Sequence, residues 1–268
     1  MPGPMHISEL YIYPLKSARG IPLREMPLAD RGPAGDRRWM LIDERGVMLS
    51  QRDLPRMALI AVKNGAGHLS CSAPGMSPLR VPIPAAASAS RITARVWDDD
   101  VDVQLAADSA HSWFSQFLGA SCRLVHQPDD AFRQANRIYA AKGVGVSLAD
   151  GFPLLLINQA SLDDLNRRLE RPVEMRRFRP NLVVVGAEPF AEDTWRTIRA
   201  GDLDLHLVKP CARCSIPAVD PDTGEMGKEP TRTLATFRRR NSDVFFGSNV
   251  VAPSSGTLRI GDPVTVLA

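Results

Sequence analysis

The chain has 268 residues, 44% of them hydrophobic and 24% charged, a globular composition that excludes disorder over most of its length. Its formal charge is only +3, too even a balance for a nucleic-acid partner, which needs a clustered basic face. Four cysteines, two of them isolated, exclude a disulfide framework and favour a reducing compartment. The stretch Met1–Leu10 lacks the basic-then-apolar order of a signal peptide. No apolar run approaches a membrane span. A cytoplasmic protein with no membrane partner is expected.

In chain order, Ile7–Tyr13 alternates like a strand and stops at Pro14. Trp39–Ile42, a polar loop ending in Gly46, and Val47–Ser50 predict a β-hairpin. Leu59–Val62, His68–Cys71 and Leu79–Ile83 continue the strand pattern. Ile92–Trp97 and Val101–Leu105 flank an acidic turn at Asp98–Asp100. Asp108–Leu118 has helical apolar spacing at Ala110, Trp113, Phe114 and Phe117, with a stop at Gly119. Gln127–Ala149 is a long mixed segment, read as a loop that covers something.

The second half opens on an apolar strand, Phe152–Ile157. A helix follows over Ala160–Leu169, with Asn158 or Ser161 placed to cap it. Asn181–Gly186, Trp195–Ile198 and Leu203–Val208 read as strands, and the last leads into Pro210-Cys211. Thr231–Arg239 reads as a short helix, and Thr257–Leu267 as two strands around a Gly-Asp-Pro turn. Many short strands with few helices predict a mainly β (α+β) fold of barrel or sandwich type. The division falls near Gly119, giving units 1–118 and 119–268.

The most informative stretch is Cys211-Ala212-Arg213-Cys214, running into Val219-Asp220-Pro221-Asp222-Thr223-Gly224. A cation beside a thiol favours the thiolate, which is both nucleophile and metal ligand. The pair alone is compatible with a redox couple, half a zinc site, one ligand with a spectator, or two inert core thiols. No second Cys pair completes a zinc site. Lys16-Ser17 after Tyr13-Pro14, Arg37 in Gly35-Asp36-Arg37-Arg38-Trp39, and Arg179 before Pro180-Asn181 are separate candidate oxyanion contacts. Asp220 and Asp222 shape a turn by composition.

Together with Phe152–Leu156, Asn158–Leu165 and Gly261-Asp262-Pro263-Val264, these segments resemble the MOSC family with its N-terminal β-barrel domain. They are similar to mitochondrial amidoxime-reducing components and to bacterial reductases of N-hydroxylated compounds. The resemblance implies two β-barrel-like units with a few peripheral helices: residues 1–118 as the MOSC N-terminal domain, 119–268 as the MOSC domain. It implies the molybdenum cofactor (Mo-molybdopterin), with Cys214 as the protein's metal ligand and Cys211 as its neighbour. Pyridoxal phosphate is not implied. Lys16, Ser17, Arg37, Arg179 and Arg213 would hold the cofactor, and Arg213 would favour the Cys214 thiolate. The implied activity is reduction of N-hydroxylated or N-oxygenated small molecules, with Cys214 and Asp220 at the catalytic centre. Asp220 and an oxygen of the cofactor are the two candidates for proton donor. Electrons would come from a separate ferredoxin- or cytochrome-type protein. The alternative is a sulfur carrier working through a Cys214 persulfide, or a cofactor carrier or storage protein.

Overall fold

The computed structural model describes residues 3–85 and 89–268. Residues 1 and 2, at the start of the Met1–Leu10 reading, lie outside the described residues. The fold is mainly β, with two β-barrel-like units and helices at their periphery.

The first unit is built on a four-stranded antiparallel sheet in the order Trp39–Ile42, Arg123–His126, Asp99–Leu105, Arg91–Val96. Successive side chains of Trp39–Ile42 serve opposite faces. Trp39 and Leu41 pack with Leu69, Phe114 and Leu124, while Met40 and Ile42 pack with Val96, Val103 and Val125. A second sheet of Ala61–Gly65, His68–Ser72 and Leu79–Pro82 borders the first of these cores. Helix α1 (Asp108–Leu118) plugs it with Ala110, Trp113, Phe114, Phe117 and Leu118. Burial of each of its Phe and Leu side chains is worth roughly 1.5–3 kcal/mol. The helix ends at Gly119, whose left-handed φ of 67° returns its N–H to the Ser115 carbonyl.

The predicted hairpin after Trp39 forms only as a short one: Ile42 bridges Met48 antiparallel, and the N–H groups of Asp43 and Leu49 donate to the Val47 and Leu41 carbonyls. Val47 and Met48 make only single bridges, to Arg95 and Ile42. The Asp43 carboxylate takes the N–H groups of Arg45 and Val47 and closes the chain into a tight loop. The longer ladder of Trp39–Ile42 is with Arg123–His126.

The second unit is a curled nine-stranded sheet. Its main path runs Val264–Val266, Thr197–Ala200, Leu203–Ala212, Asp243–Val251, Leu154–Asn158, Leu182–Val185, His6–Ile12, Ile21–Leu23. Its one parallel pair, Leu154–Asn158 with Leu182–Val185, is joined by a crossover through helix α2 (Gln159–Arg167), as parallel strands require. Leu154 and Leu156 face an inner core with Ile7, Leu182, Leu205 and Val250. Leu155 and Ile157 face α2 and helix α3 (Thr231–Phe237) through Leu162, Leu165 and Leu234. Burial on both faces explains the unbroken apolar run in the sequence.

Strand pairings cross the division at 118/119 in both directions. His6–Ile12 pairs with Leu182–Val185, and Glu25–Ala29 with Gly256–Arg259. Arg123–His126 belongs to the sheet of the first unit. The two units are thus laced together, and a cleft runs between them.

Candidate active-site cleft

The cleft has a volume of about 790 Å³ and takes residues from both units, a size suited to a cofactor or a small ligand. Eight basic side chains line it against three acidic ones. It gathers Lys16, Ser17, Arg37, Arg179, Arg213 and Cys214, which are spread over almost 200 residues of chain. Asp220 is not among the lining residues.

Strand Leu203–Ala212 delivers the cysteines. It runs four residues past the predicted end at Val208, so Cys211 sits on the strand and Cys214 in the loop after it. Both are free thiols at intermediate exposure. The arginine between them does not serve Cys214. Arg213 Nη1 donates to Cys211 Sγ at 3.2 Å, and its Nη2 to the Phe178 carbonyl at 2.7 Å. Side chains two apart at a strand end share a side, which pairs 211 with 213. The cation at Cys214 is Arg52, whose Nη1 lies 3.6 Å from Sγ.

The cationic wall is organised by Tyr13. Its buried ring has the Arg37 guanidinium 4.3 Å from its centroid and that of Arg179 at 4.2 Å. The Tyr13 hydroxyl donates to the Pro180 carbonyl at 2.9 Å, and its backbone N–H to Asp36 Oδ1 at 2.7 Å. Arg37 is held by Asp36 Oδ2 at 2.6 Å and Asn181 Oδ1 at 3.0 Å. Arg179 Nη1 donates to the Ala18 carbonyl at 2.6 Å. Burial pushes the Tyr13 phenol up to about 12 and draws Arg179 down to about 10. Arg179 still carries its charge at neutral pH.

Lys16 is buried, and its Nζ donates to the Leu148 carbonyl at 2.9 Å and to Asp150 Oδ1 at 2.6 Å. Burial lowers the Lys16 pKa from its ordinary value, and Asp150 opposes that shift. Burial works against the Asp150 carboxylate as well, but Lys16, Arg52 and the Trp97 N–H together outweigh it and hold the group well below the usual carboxylate range. Asp150 is therefore ionised at neutral pH. Ser17, Arg37 and Arg179 all have left-handed backbone, with φ of 67°, 45° and 57°. Trp97, also in the cleft, has φ of 58°. Non-glycine residues in this region concentrate at functional sites.

Three cleft residues carry no sequence signal of their own: Arg52, Trp97 and Asp150. Arg52 stacks on the Trp97 ring at 4.4 Å, and Trp97 Nε1 donates to Asp150 Oδ1 at 3.2 Å. Arg52 and Asp150 read in sequence as ordinary loop residues, and Trp97 as the end of the strand Ile92–Trp97. The long segment Gln127–Ala149 does form one side of the cleft, through Arg133–Arg137 and Ala149. Arg133 fixes it from within, donating to Asp99 Oδ2 at 2.8 Å, Ser147 O at 3.0 Å and Asp150 O at 2.6 Å.

Asp220 is occupied elsewhere. Its Oδ1 accepts the N–H groups of Asp222 and Thr223, and its Oδ2 takes Arg177 Nη2 at 2.6 Å. These contacts hold its carboxyl below the usual range and shape the Val219–Met226 turn.

The MOSC N-terminal beta barrel domain matches residues 5–121, and the MOSC domain residues 144–265. The chain is 35% identical to mitochondrial amidoxime reducing component 2 of Rattus norvegicus, over 96% of this chain and 82% of that protein. It is 33% identical to mitochondrial amidoxime-reducing component 1 of Homo sapiens, over 97% and 82%. The chain belongs to the MOSC-domain family, in the group that includes these amidoxime-reducing components. Among the described residues, no helix is long and apolar enough to cross a membrane.

Proposed function

We propose that the chain is an oxidoreductase that reduces N-hydroxylated or N-oxygenated small molecules with a molybdenum cofactor held in the cleft. The carrying observation is a free, partly exposed thiol, Cys214, set in a roomy cleft that also holds Lys16, Arg37, Arg179 and Arg213. These residues fit a phosphate-bearing pterin. The guanidinium groups offer forked donors for phosphate, and the Arg213 Nε is buried without a hydrogen-bond partner. Among the described residues, no three His, Cys, Asp or Glu side chains gather as a metal site. A metal at Cys214 would take its remaining donors from a ligand, as a dithiolene provides, and soft thiolate suits molybdenum.

When bound, the cofactor supplies the two-electron redox chemistry. An amidoxime takes up two electrons and two protons, its N–O bond breaks, and amidine and water leave. The chain's residues do the rest. Cys214 would ligate the metal, with Arg52 as counter-charge to its thiolate. Lys16, Ser17, Arg37, Arg179 and Arg213 would bind the pterin and its phosphate. Asp150, kept ionised by Lys16, would accept hydrogen bonds from substrate N–H groups. Electrons would come from a separate ferredoxin- or cytochrome-type donor.

The test is molybdenum and pterin content after expression in a host that makes the cofactor, for the wild type and Cys214→Ser. Near-stoichiometric metal in the wild type and its loss in a folded variant are expected. No metal in either protein overturns this reading and favours sulfur transfer through Cys214.

A further inference from the structure

One wall of the cleft is unlike the rest. Trp97 and Asp98 form the two-residue turn of the hairpin that joins Arg91–Val96 to Asp99–Leu105, with Val96 opposite Asp99. With φ of 58°, Trp97 takes the first central position of that turn in the left-handed region, where glycine is the favoured residue. A bulky aromatic side chain held in such a backbone is a candidate for function rather than for turn formation. The indole is 47% exposed, whereas Trp39, Trp113 and Trp195 are buried. One face carries the Arg52 guanidinium, and the ring N–H is fixed by Asp150. The remaining indole surface borders the cleft.

Arg52 ties this ring to the thiol, because the same guanidinium contacts both Trp97 and Cys214. The indole therefore stands one guanidinium away from the proposed reacting centre. Around it the three acidic residues of the lining are gathered. Asp98 and Asp99 adjoin Trp97 in the chain, Asp150 is bonded to its ring N–H, and all three line the cleft. Asp99 is paired with Arg133, which leaves Asp98 and the open edge of Asp150 facing the cleft. A flat apolar surface next to free carboxylate oxygens suits a planar body bearing N–H donors.

We propose that Trp97 determines substrate preference: the ring of an aryl amidoxime stacks on the indole, and its amino group donates to Asp98 or Asp150. This rests on the reductase reading above. Aliphatic N-hydroxylated compounds gain the hydrogen bonds but not the stack.

Two measurements on the full-length protein test it. Intrinsic fluorescence is titrated with benzamidoxime and with acetamidoxime. Steady-state kinetics then compare kcat/KM for the two compounds in the wild type, Trp97→Gly and Trp97→Phe. Glycine accepts the turn's backbone without strain, so loss of the ring is separated from misfolding. Benzamidoxime should quench wild-type fluorescence, acetamidoxime should not, and the response should vanish in Trp97→Phe. The benzamidoxime preference should fall about tenfold in Trp97→Gly, the scale of one aromatic stack, and recover to within about twofold in Trp97→Phe. A quench that survives in Trp97→Phe, or an unchanged preference in Trp97→Gly, overturns the assignment. If the cofactor-loaded wild type reduces neither compound, the reductase reading fails instead, and the fluorescence titration alone decides whether aromatic ligands stack on Trp97.

Discussion

Tyr13 holds two like-charged guanidinium groups against its ring. Cation–π attraction offsets part of the repulsion that would otherwise spread them. Tyr13→Phe keeps the ring and loses only the bond to Pro180 O, so it should cost about 1 kcal/mol in urea unfolding. Tyr13→Leu should cost more and also release cofactor, seen as a lower molybdenum content per chain. Arg179→Ala should likewise lower cofactor occupancy, and unchanged occupancy would count against its phosphate role. Lys16, Arg37 and Arg179 were legible as separate cations beside prolines or glycines. The tyrosine that joins two of them was not, since a ring in a strand pattern reads as core. Arg52 and Asp150 were silent because a lone charge in a polar loop carries no periodicity. Arg213 misled through adjacency, since the residue next to Cys214 in the chain turns toward Cys211.

Strand Asp243–Val251 lies in the middle of the nine-stranded sheet, yet its sequence does not read as a strand. Gly247-Ser248-Asn249 interrupts the apolar pattern. The structure explains the glycine. Gly247 has φ of 76°, where the pairing with Leu203–Ala212 slips out of register, and a Cβ there would lie 2.7 Å from Ile157 Cγ1 and 2.8 Å from Leu156 O. Gly247→Ala should therefore destabilise by at least about 1–3 kcal/mol, measured by chemical denaturation. Helices α1 and α2 were plainer, because each has an apolar stripe at helical spacing. Asn158 caps α2 as expected, accepting from Ala160 N, while Ser161 turns inward to Glu192. The 127–149 segment offered only its length as a clue. Its order depends on Arg133, so Arg133→Met should speed limited proteolysis within 127–149 well before global unfolding.

At the scale of the molecule, one buried histidine sets an acid limit. Burial holds the His126 pKa down to about 4 from an ordinary 6.5. Between those values the unfolded chain binds a proton that the folded one does not. The contribution is complete above pH 6.5 and fades as pH falls toward 4, by at most about 3 kcal/mol. Urea midpoints at pH 7 and pH 4.5 should differ, and His126→Gln should narrow the difference. The lacing of the two units makes a second prediction. A fragment of residues 119–268 lacks strands His6–Ile12, Ile21–Leu23 and Glu25–Ala29, so it should not give a cooperative melt alone. The same lacing governs how the protein is made. His6 leaves the ribosome well before its partner Val185, which follows 179 residues later (185 − 6). At 5–20 residues per second the wait is on the order of ten seconds or more. Throughout that time an apolar strand edge is open to any passing chain. Yield in a heterologous host should therefore respond to synthesis rate and chaperone supply more than to any substitution in the cleft.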